Sequence, residues 1–232
     1  MSDTPFQPYA LSPLDPLDLA GQAIVPTARH RAWANEVRLL GYLTLRGNGA
    51  DPAWAQALRT ACGLEPPAPG RCVCGEAGVL IWRSPDEFLL VCARARRSAL
   101  LGALQAAFAG LMAEAVDQSG GLTTVYLAGA EQVTVLRHMG GYDFARLVPG
   151  QAVATVFGKT AGVVVRLDDG GVHLLVRRSY AVYFWALLAR SARPYGFAVG
   201  RLPAAPHDAL LRLCADASPS LNPTQEPDHV TA

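Results

Sequence analysis

The sequence predicts an α+β fold built from two tandem βαββαβ units, each with an antiparallel sheet. Residues 78–104 and 162–188 share one succession: an apolar run, a polar turn, a second apolar run, arginines, a serine and an amphipathic segment. Before each stretch come an alternating strand pattern and a helical pattern, and after it a short apolar strand. This order is that of the split, ferredoxin-like motif, whose two helices cover one face of an antiparallel sheet.

The first unit is predicted to open with one half-buried strand over residues 36–47, where apolar and polar side chains alternate. A helix should follow, because Asp51 is a favourable N-cap, Pro52 suits the first helical position and Gly63 favours a helix end. The rest of the unit is a hairpin (78–83 and 87–93), a helix that begins at Ser98 and a closing strand (113–118).

The second unit repeats this order. Its predicted elements are a strand (123–129), a helix (130–139), a hairpin (162–167 and 172–177), a helix from Ser179 and a closing strand (196–200). In this alignment Gly47 corresponds to Gly129, and Gly78 to Gly162. The main departure is an extra segment, residues 142–160, before the second hairpin. Gene duplication is our hypothesis for the doubling, and chance resemblance between two common patterns is the alternative.

We expect one globular domain over residues 35–202, made of two similar halves at about 36–118 and 122–200. The flanking segments, 1–34 and 203–232, are rich in Pro, Asp, Ser and Ala and show little periodicity. Such composition predicts poorly ordered ends.

Composition excludes several classes of partner and location. With a net charge of +1, the chain gives no electrostatic reason to bind nucleic acid or an anionic membrane surface. No apolar run reaches the roughly twenty residues that span a bilayer. Residues 1–18 mix acids with prolines, which is unlike a signal peptide, so we expect a cytoplasmic protein whose five cysteines are reduced.

The most metal-like feature is Cys72-Val73-Cys74, but a zinc site needs about four ligands and this pair has no second pair at a suitable spacing. Cys62 and Cys92 lie in apolar patterns typical of core residues. None of the five histidines is in a ligand or nucleophile motif: His30, His138, His173, His207 and His229. Ordinary structural roles are expected for His138, near a helix end, and for His173, in a strand.

The carboxylate pairs Asp86-Glu87 and Asp168-Asp169 occupy the tips of the predicted hairpins, where Asp caps turn amides. Asp117 follows the first unit and is expected to cap the connection to the second. Nucleophile-elbow, phosphate-loop and dinucleotide motifs are absent from the sequence. We therefore predict no catalytic, cofactor-binding or metal-binding residue on this chain.

Four segments between Glu36 and Phe197 resemble, in order, the γ subunit of heterotetrameric sarcosine oxidase. They are LLGYLTLRGNGADPAWAQAL, IWRSPDEFLLV, AVDQSGGLTTVYLAG and LLVRRSYAVYFWALL. The last segment is the most specific, because no generic fold demands an Arg-Ser cap before an aromatic-rich helix.

This resemblance implies a noncatalytic subunit of an oxidoreductase that acts on CH-NH donors with oxygen as acceptor. The complex would demethylate sarcosine to glycine, pass the one-carbon unit to tetrahydrofolate and form H2O2. Its α and β subunits would carry FAD, FMN and NAD, and its δ subunit zinc. The γ chain would dock on the large subunits and stabilise them.

The γ family is also distantly similar to the folate-binding part of aminomethyltransferase, the glycine-cleavage T-protein. That relative has a catalytic carboxylate just before the strand that matches 162–167. Here the corresponding segment is GKTAG, residues 158–162, in which Lys159 is the charged residue and no acid is present. A positively charged residue cannot replace a carboxylate in holding or deprotonating an amine nucleophile, which argues against folate-dependent transfer by this chain alone.

Two alternative functions remain. The chain could instead be a stand-alone folate-binding protein, or a γ-like subunit of another N-methyl amino acid dehydrogenase, such as that for N-methylglutamate.

The aromatic cluster of the last helix is expected either to dock on a partner or to lie between the two units. It consists of Tyr180, Tyr183, Phe184 and Trp185.

Overall fold

The computed structural model describes residues 11–203 and 208–215. The N-terminal half contains β1 (Trp33–Val37), β2 (Gly41–Arg46), α1 (Pro52–Cys62), β3 (Cys72–Gly75), β4 (Gly78–Ser84), β5 (Glu87–Cys92), α2 (Arg97–Ala107) and β6 (Glu114–Asp117). The C-terminal half contains β7 (Leu122–Ala128), α3 (Gln132–Met139), β8 (Gln151–Phe157), β9 (Thr160–Arg166), β10 (Gly171–Arg177), α4 (Ala181–Ala192), β11 (Ala198–Val199) and α5 (Ala209–Ala215).

Helix α1 begins and ends where the sequence predicts. Asp51 accepts a hydrogen bond from the Ala53 amide (2.9 Å), and Gly63 ends the helix in the left-handed conformation at φ 69°. Both predicted hairpins are present as β4–β5 and β9–β10.

The first sheet has the strand order β3-β4-β5-β2-β6, with every pair antiparallel. Its last four strands have the order of the βαββαβ motif, in which the first strand lies between the fourth and the third. Strand β3 is an addition at the edge.

The second sheet has the order β11-β1-β7-β10-β9-β8. Here the N-terminal strand β1 takes the place of the motif's fourth strand, antiparallel to β7, and the two-residue β11 pairs with β1 in parallel at the edge. The predicted single strand over 36–47 is therefore wrong, because its two parts belong to different sheets. The chain crosses between the sheets at residues 38–40, where Leu39 has a φ of 53°.

The extra segment 142–160 of the second unit contributes β8, which has a counterpart in β3 of the first. Each of the two strands lies at a sheet edge beside the hairpin of its unit. The edges also meet: the Cys72 amide donates to the Gly150 carbonyl (3.0 Å), and the Ala152 amide to the Gly70 carbonyl (2.9 Å). The repeat is thus more complete in structure than the sequence predicts.

The two sheets pack face to face, with α1 and α2 on the outside of the first and α3 and α4 on the outside of the second. Apolar side chains from both sheets form the middle layer, among them Ile81, Val91, Val165 and Leu175. Helix α4 buries Phe184 and Trp185 against the outer face of the second sheet. The expectation that this helix lies between the two units is therefore wrong.

The described parts of the chain ends pack against the rest of the fold. Leu14 and Leu19 are buried against the second sheet, and Ile24 forms a bridge with Gly200. After the gap, Leu210 and Leu211 of α5 are buried in the middle layer. Widely spaced apolar side chains anchor these segments despite their prolines. Residues 1–10, 204–207 and 216–232, also expected to be poorly ordered, lie outside the described residues.

Among the described residues, no helix has the length and apolar character that crossing a membrane requires.

Candidate functional site

The first carboxylate pair lies in the β4–β5 turn and is occupied by interactions of the turn. Arg46 forms ion pairs with Asp86 (2.9 Å) and Glu87 (2.8 Å), and the Ser84 hydroxyl donates to Asp86 (2.6 Å). That hydrogen bond from Ser84 is the largest cause of the lowered pKa of Asp86. This geometry is that of a solvated turn.

The second pair lies in the β9–β10 turn. Asp168 accepts a hydrogen bond from the Gly170 amide (2.8 Å), and Asp169, which is 86% exposed, pairs with Arg166 (2.8 Å). Asp117 accepts a hydrogen bond from the Ser119 amide (2.8 Å) and thereby caps the connection between the units. These acids shape turns.

Cys72 and Cys74 lie on one face of the edge strand β3, and burial raises the pKa of Cys72 to about 12 and also raises that of Cys74. Thiols with raised pKa values are poor nucleophiles and poor ligands at neutral pH. Burial likewise raises the pKa values of Cys62 and Cys92, the latter to about 11. Within residues 11–203 and 208–215, no three His, Cys, Asp or Glu side chains are placed to hold a metal ion.

His173 lies on β10, has no exposed surface and faces Asp208, with Nε2 and Oδ2 2.7 Å apart. Asp208 also accepts hydrogen bonds from the Leu210 and Leu211 amides and so caps α5. Burial works to raise the pKa of Asp208, but the hydrogen bond and charge of His173 together with the two amides hold it below its ordinary value. This pair fastens α5 to the second sheet.

Of the other histidines, His30 contacts Thr27, and His138 lies 2.9 Å from the Tyr195 hydroxyl. His207 and His229 lie outside the described residues.

The GKTAG segment, residues 158–162, contains the β8–β9 turn and the start of β9. Lys159 is exposed there, and its backbone amide donates to the Tyr183 hydroxyl (3.1 Å) on α4. No carboxylate is present in residues 158–162, so this turn offers no group that would hold an amine nucleophile.

A buried carboxylate that the sequence did not single out lies at the end of β1. The Ser12 hydroxyl is 2.5 Å from both carboxylate oxygens of Glu36, and the Thr123 hydroxyl donates to Oε1 (2.6 Å). Glu36 is only 4% exposed. Burial raises its pKa, although the two hydroxyls work in the opposite direction.

These three residues line a cavity of about 370 Å³, here called the Glu36 pocket. Tyr42, Ser119 and the linker residue Gly120 form further parts of its wall, and the charged side chains at the wall other than Glu36 are Arg94 and Arg178. Arg94 and Arg178 each begin the 3-10 turn that follows the hairpin of their unit. The repeat thus places equivalent arginines from both units at one cavity.

Sequence reasoning missed this site because its parts are distant in the chain. Glu36 is separated from Ser12 by 24 residues and from Thr123 by 87. The local signal is weak, because Glu36 lies near the end of β1 between Asn35 and Val37.

We expect the Glu36→Gln variant to be more stable than the wild type at neutral pH. Because the folded pKa lies above the ordinary 4.5, the protonated carboxyl contributes stability that is complete below pH 4.5 and is lost as the pH rises through the folded pKa. Each unit of elevation corresponds to about 1.4 kcal/mol. Urea unfolding from pH 4 to 8 measures the difference, with Glu114→Gln at an exposed carboxylate as control. An advantage of Glu36→Gln that did not grow with pH would contradict this reading.

Comparison with known proteins agrees with this architecture. The model of the sarcosine oxidase, gamma subunit family matches residues 46–193, which include most of both units. Curated proteins give no significant sequence match.

Two solved structures share the fold. A chain of the heterotetrameric sarcosine oxidase from Corynebacterium sp. U-96, solved with pyrrole 2-carboxylate, is 24% identical, with a TM-score of 0.72 over 84% of this chain and 99% of that one. The glycine cleavage system aminomethyltransferase T from Bartonella henselae is 15% identical, with a TM-score of 0.60 over 78% of this chain and 57% of that one. The α+β fold and the resemblance predicted from sequence are both confirmed, and the chain belongs to the sarcosine oxidase gamma subunit family.

Proposed function

We propose that this chain is the noncatalytic γ subunit of a heterotetrameric sarcosine oxidase. The observation that carries the proposal is the family match, which runs through both repeat units. The complex would oxidise sarcosine to glycine with oxygen as acceptor, pass the one-carbon unit to tetrahydrofolate and release H2O2. Its α and β subunits would hold FAD, FMN and NAD, and its δ subunit zinc.

The noncatalytic role is supported by what the acidic and thiol groups do in the fold. The carboxylates of both hairpin turns are engaged by neighbouring arginines or turn amides. Lys159 occupies the turn where aminomethyltransferase has its acid, and burial keeps the thiol of Cys72 protonated. A four-layer chain of this kind would hold the flavin-bearing subunits in their assembled form.

Omitting the chain tests this role. The flavin-bearing subunits are expressed with and without it, and their yield, melting temperature and sarcosine-dependent oxygen uptake are compared. We expect all three to fall without the chain, and the melting temperature by several degrees, as the loss of a bound partner predicts. Large subunits with unchanged yield, stability and activity would contradict the proposal.

Likeness to aminomethyltransferase favours a second candidate, a chain that binds folate by itself. Titration of the isolated chain with tetrahydrofolate distinguishes the two, since tight binding would favour this candidate. Whether the complex prefers sarcosine or a related substrate such as N-methylglutamate is decided by assaying the assembled complex with both.

A further inference from the structure

We propose that the Glu36 pocket binds an acidic amino acid, with the ligand's ammonium group against Glu36 and its two carboxylates against Arg94 and Arg178. This binding site is independent of the assembly proposed above, and nothing in that role requires it.

Glu36 has the properties of a carboxylate that can bind a cation. Its carboxylate offers about four acceptor positions, and the Ser12 and Thr123 hydroxyls leave part of this capacity toward the cavity. Burying a carboxylate without a countercharge is unfavourable, and burial raises the pKa of Glu36 accordingly. Arg38, the other charged neighbour, is itself paired with Asp15. A ligand ammonium would supply the missing charge.

The two arginines offer the complementary half of the site. Neither Arg94 nor Arg178 forms an ion pair with a carboxylate in residues 11–203 and 208–215. Arg178 donates one hydrogen bond to the Leu11 carbonyl (2.7 Å), which leaves most of its five donors available. Guanidinium groups bind carboxylates through paired hydrogen bonds.

The charge count of the pocket selects the ligand class. Among the described residues that line the pocket, two guanidinium groups and one carboxylate leave one net positive charge at the wall. A ligand with one ammonium and two carboxylates carries one net negative charge and matches it. The volume of about 370 Å³ lies within the range of small-molecule sites.

The wall of the pocket also carries backbone strain. Leu39, which lines it, has a φ of 53°, a left-handed conformation that is unfavourable for a residue with a side chain. Strain of this kind is concentrated at binding sites. Together with Leu40 and Leu122, Leu39 provides an apolar surface for the carbon chain of the ligand.

Calorimetric titration of the full chain with L-glutamate tests the proposal. Two probes each lack one half of the recognition: glutarate has no ammonium group, and 4-aminobutyrate has one carboxylate fewer. We expect L-glutamate to bind at least about tenfold more tightly than either probe, as the loss of one charge-assisted interaction predicts.

Two variants locate the binding. Glu36→Gln and Arg94→Ala should each weaken L-glutamate binding about tenfold or more, whereas Arg96→Ala should leave it within about twofold. Arg96 is a matched control because it lies on the same turn as Arg94 but donates to the Glu76 carbonyl outside the pocket. Arg94 is half-buried on a turn, so its variant tests the pocket independently of any change in stability that Glu36→Gln brings.

Three results would overturn the proposal: no binding of L-glutamate up to about 10 mM, equal binding of glutarate, or L-glutamate binding that Arg94→Ala leaves unchanged.

Discussion

Replacing Asp208 with alanine should lower the free energy of unfolding by about 3 kcal/mol. Asp208 is 2% exposed and its side chain makes two sets of contacts, because one oxygen meets His173 at 2.7 Å and the other caps α5. Removing it leaves His173 buried without that partner and leaves the first amides of α5 unsatisfied. Urea unfolding measures the loss, and hydrogen exchange shows whether α5 opens before the sheets.

The same variant should also change how the free energy of unfolding depends on pH. Since the folded pKa of Asp208 lies below its ordinary 3.8, its contribution is present above about pH 3.8 and is lost as the pH falls through the folded pKa. The alanine variant should lack this component of acid sensitivity. Asp169→Asn, at the exposed β9–β10 turn, serves as control. A loss below about 0.5 kcal/mol would show that Asp208 does not fasten α5.

Trp185→Ala should cost about 3–5 kcal/mol, because an aromatic side chain is removed from a packed core. Trp185 is 8% exposed and meets Phe197 edge to face, with ring centroids 6.0 Å apart. Partner binding should decline only as far as the folded fraction declines. Thermal unfolding and co-purification, measured on the same preparations, separate the two effects.

Val182, one turn away on the same helix, provides the matched comparison. It is 52% exposed, so Val182→Ala should leave the melting temperature nearly unchanged. If Trp185→Ala kept its stability and lost only its partners, Trp185 would be an interface residue and its assignment to the core would be wrong.

The sequence predicts well the elements whose signals are local. The hairpins follow from apolar runs on both sides of a polar turn, and α1 from Asp51, Pro52 and Gly63. The correspondence between the two units also has a physical basis at one pair of glycines. Gly47 and Gly129 both have positive φ, at 151° and 108°. A Cβ there would lie 2.2 Å from Trp54 Nε1 and 2.4 Å from the Arg31 carbonyl, respectively.

The crossing of β1 into the second sheet could not be predicted in the same way. Its pairing joins Val37 to Thr124, and the periodicity of residues 36–47 is equally compatible with one strand or two. Both faces of β2 are buried, because the first sheet packs against helices on its outer face and against the second sheet on its inner face. A half-buried strand was the natural expectation for an isolated unit.

The candidate site depends on the same long-range pairing. Glu36 reaches Thr123 because β1 lies beside β7, and Ser12 reaches Glu36 because Leu14 anchors the N-terminal segment. Asp208 lies in a segment whose composition predicts disorder, and its role depends on the buried His173. No local pattern carries these contacts.

The most direct test of the proposed function is the native mass of the complex formed when this chain is co-expressed with the flavin-bearing subunits and the zinc-bearing small subunit. We predict one species in which this chain is present in a fixed ratio to each of the others and which oxidises sarcosine. A chain that remains a monodisperse monomer beside an active complex of the other subunits would contradict the account.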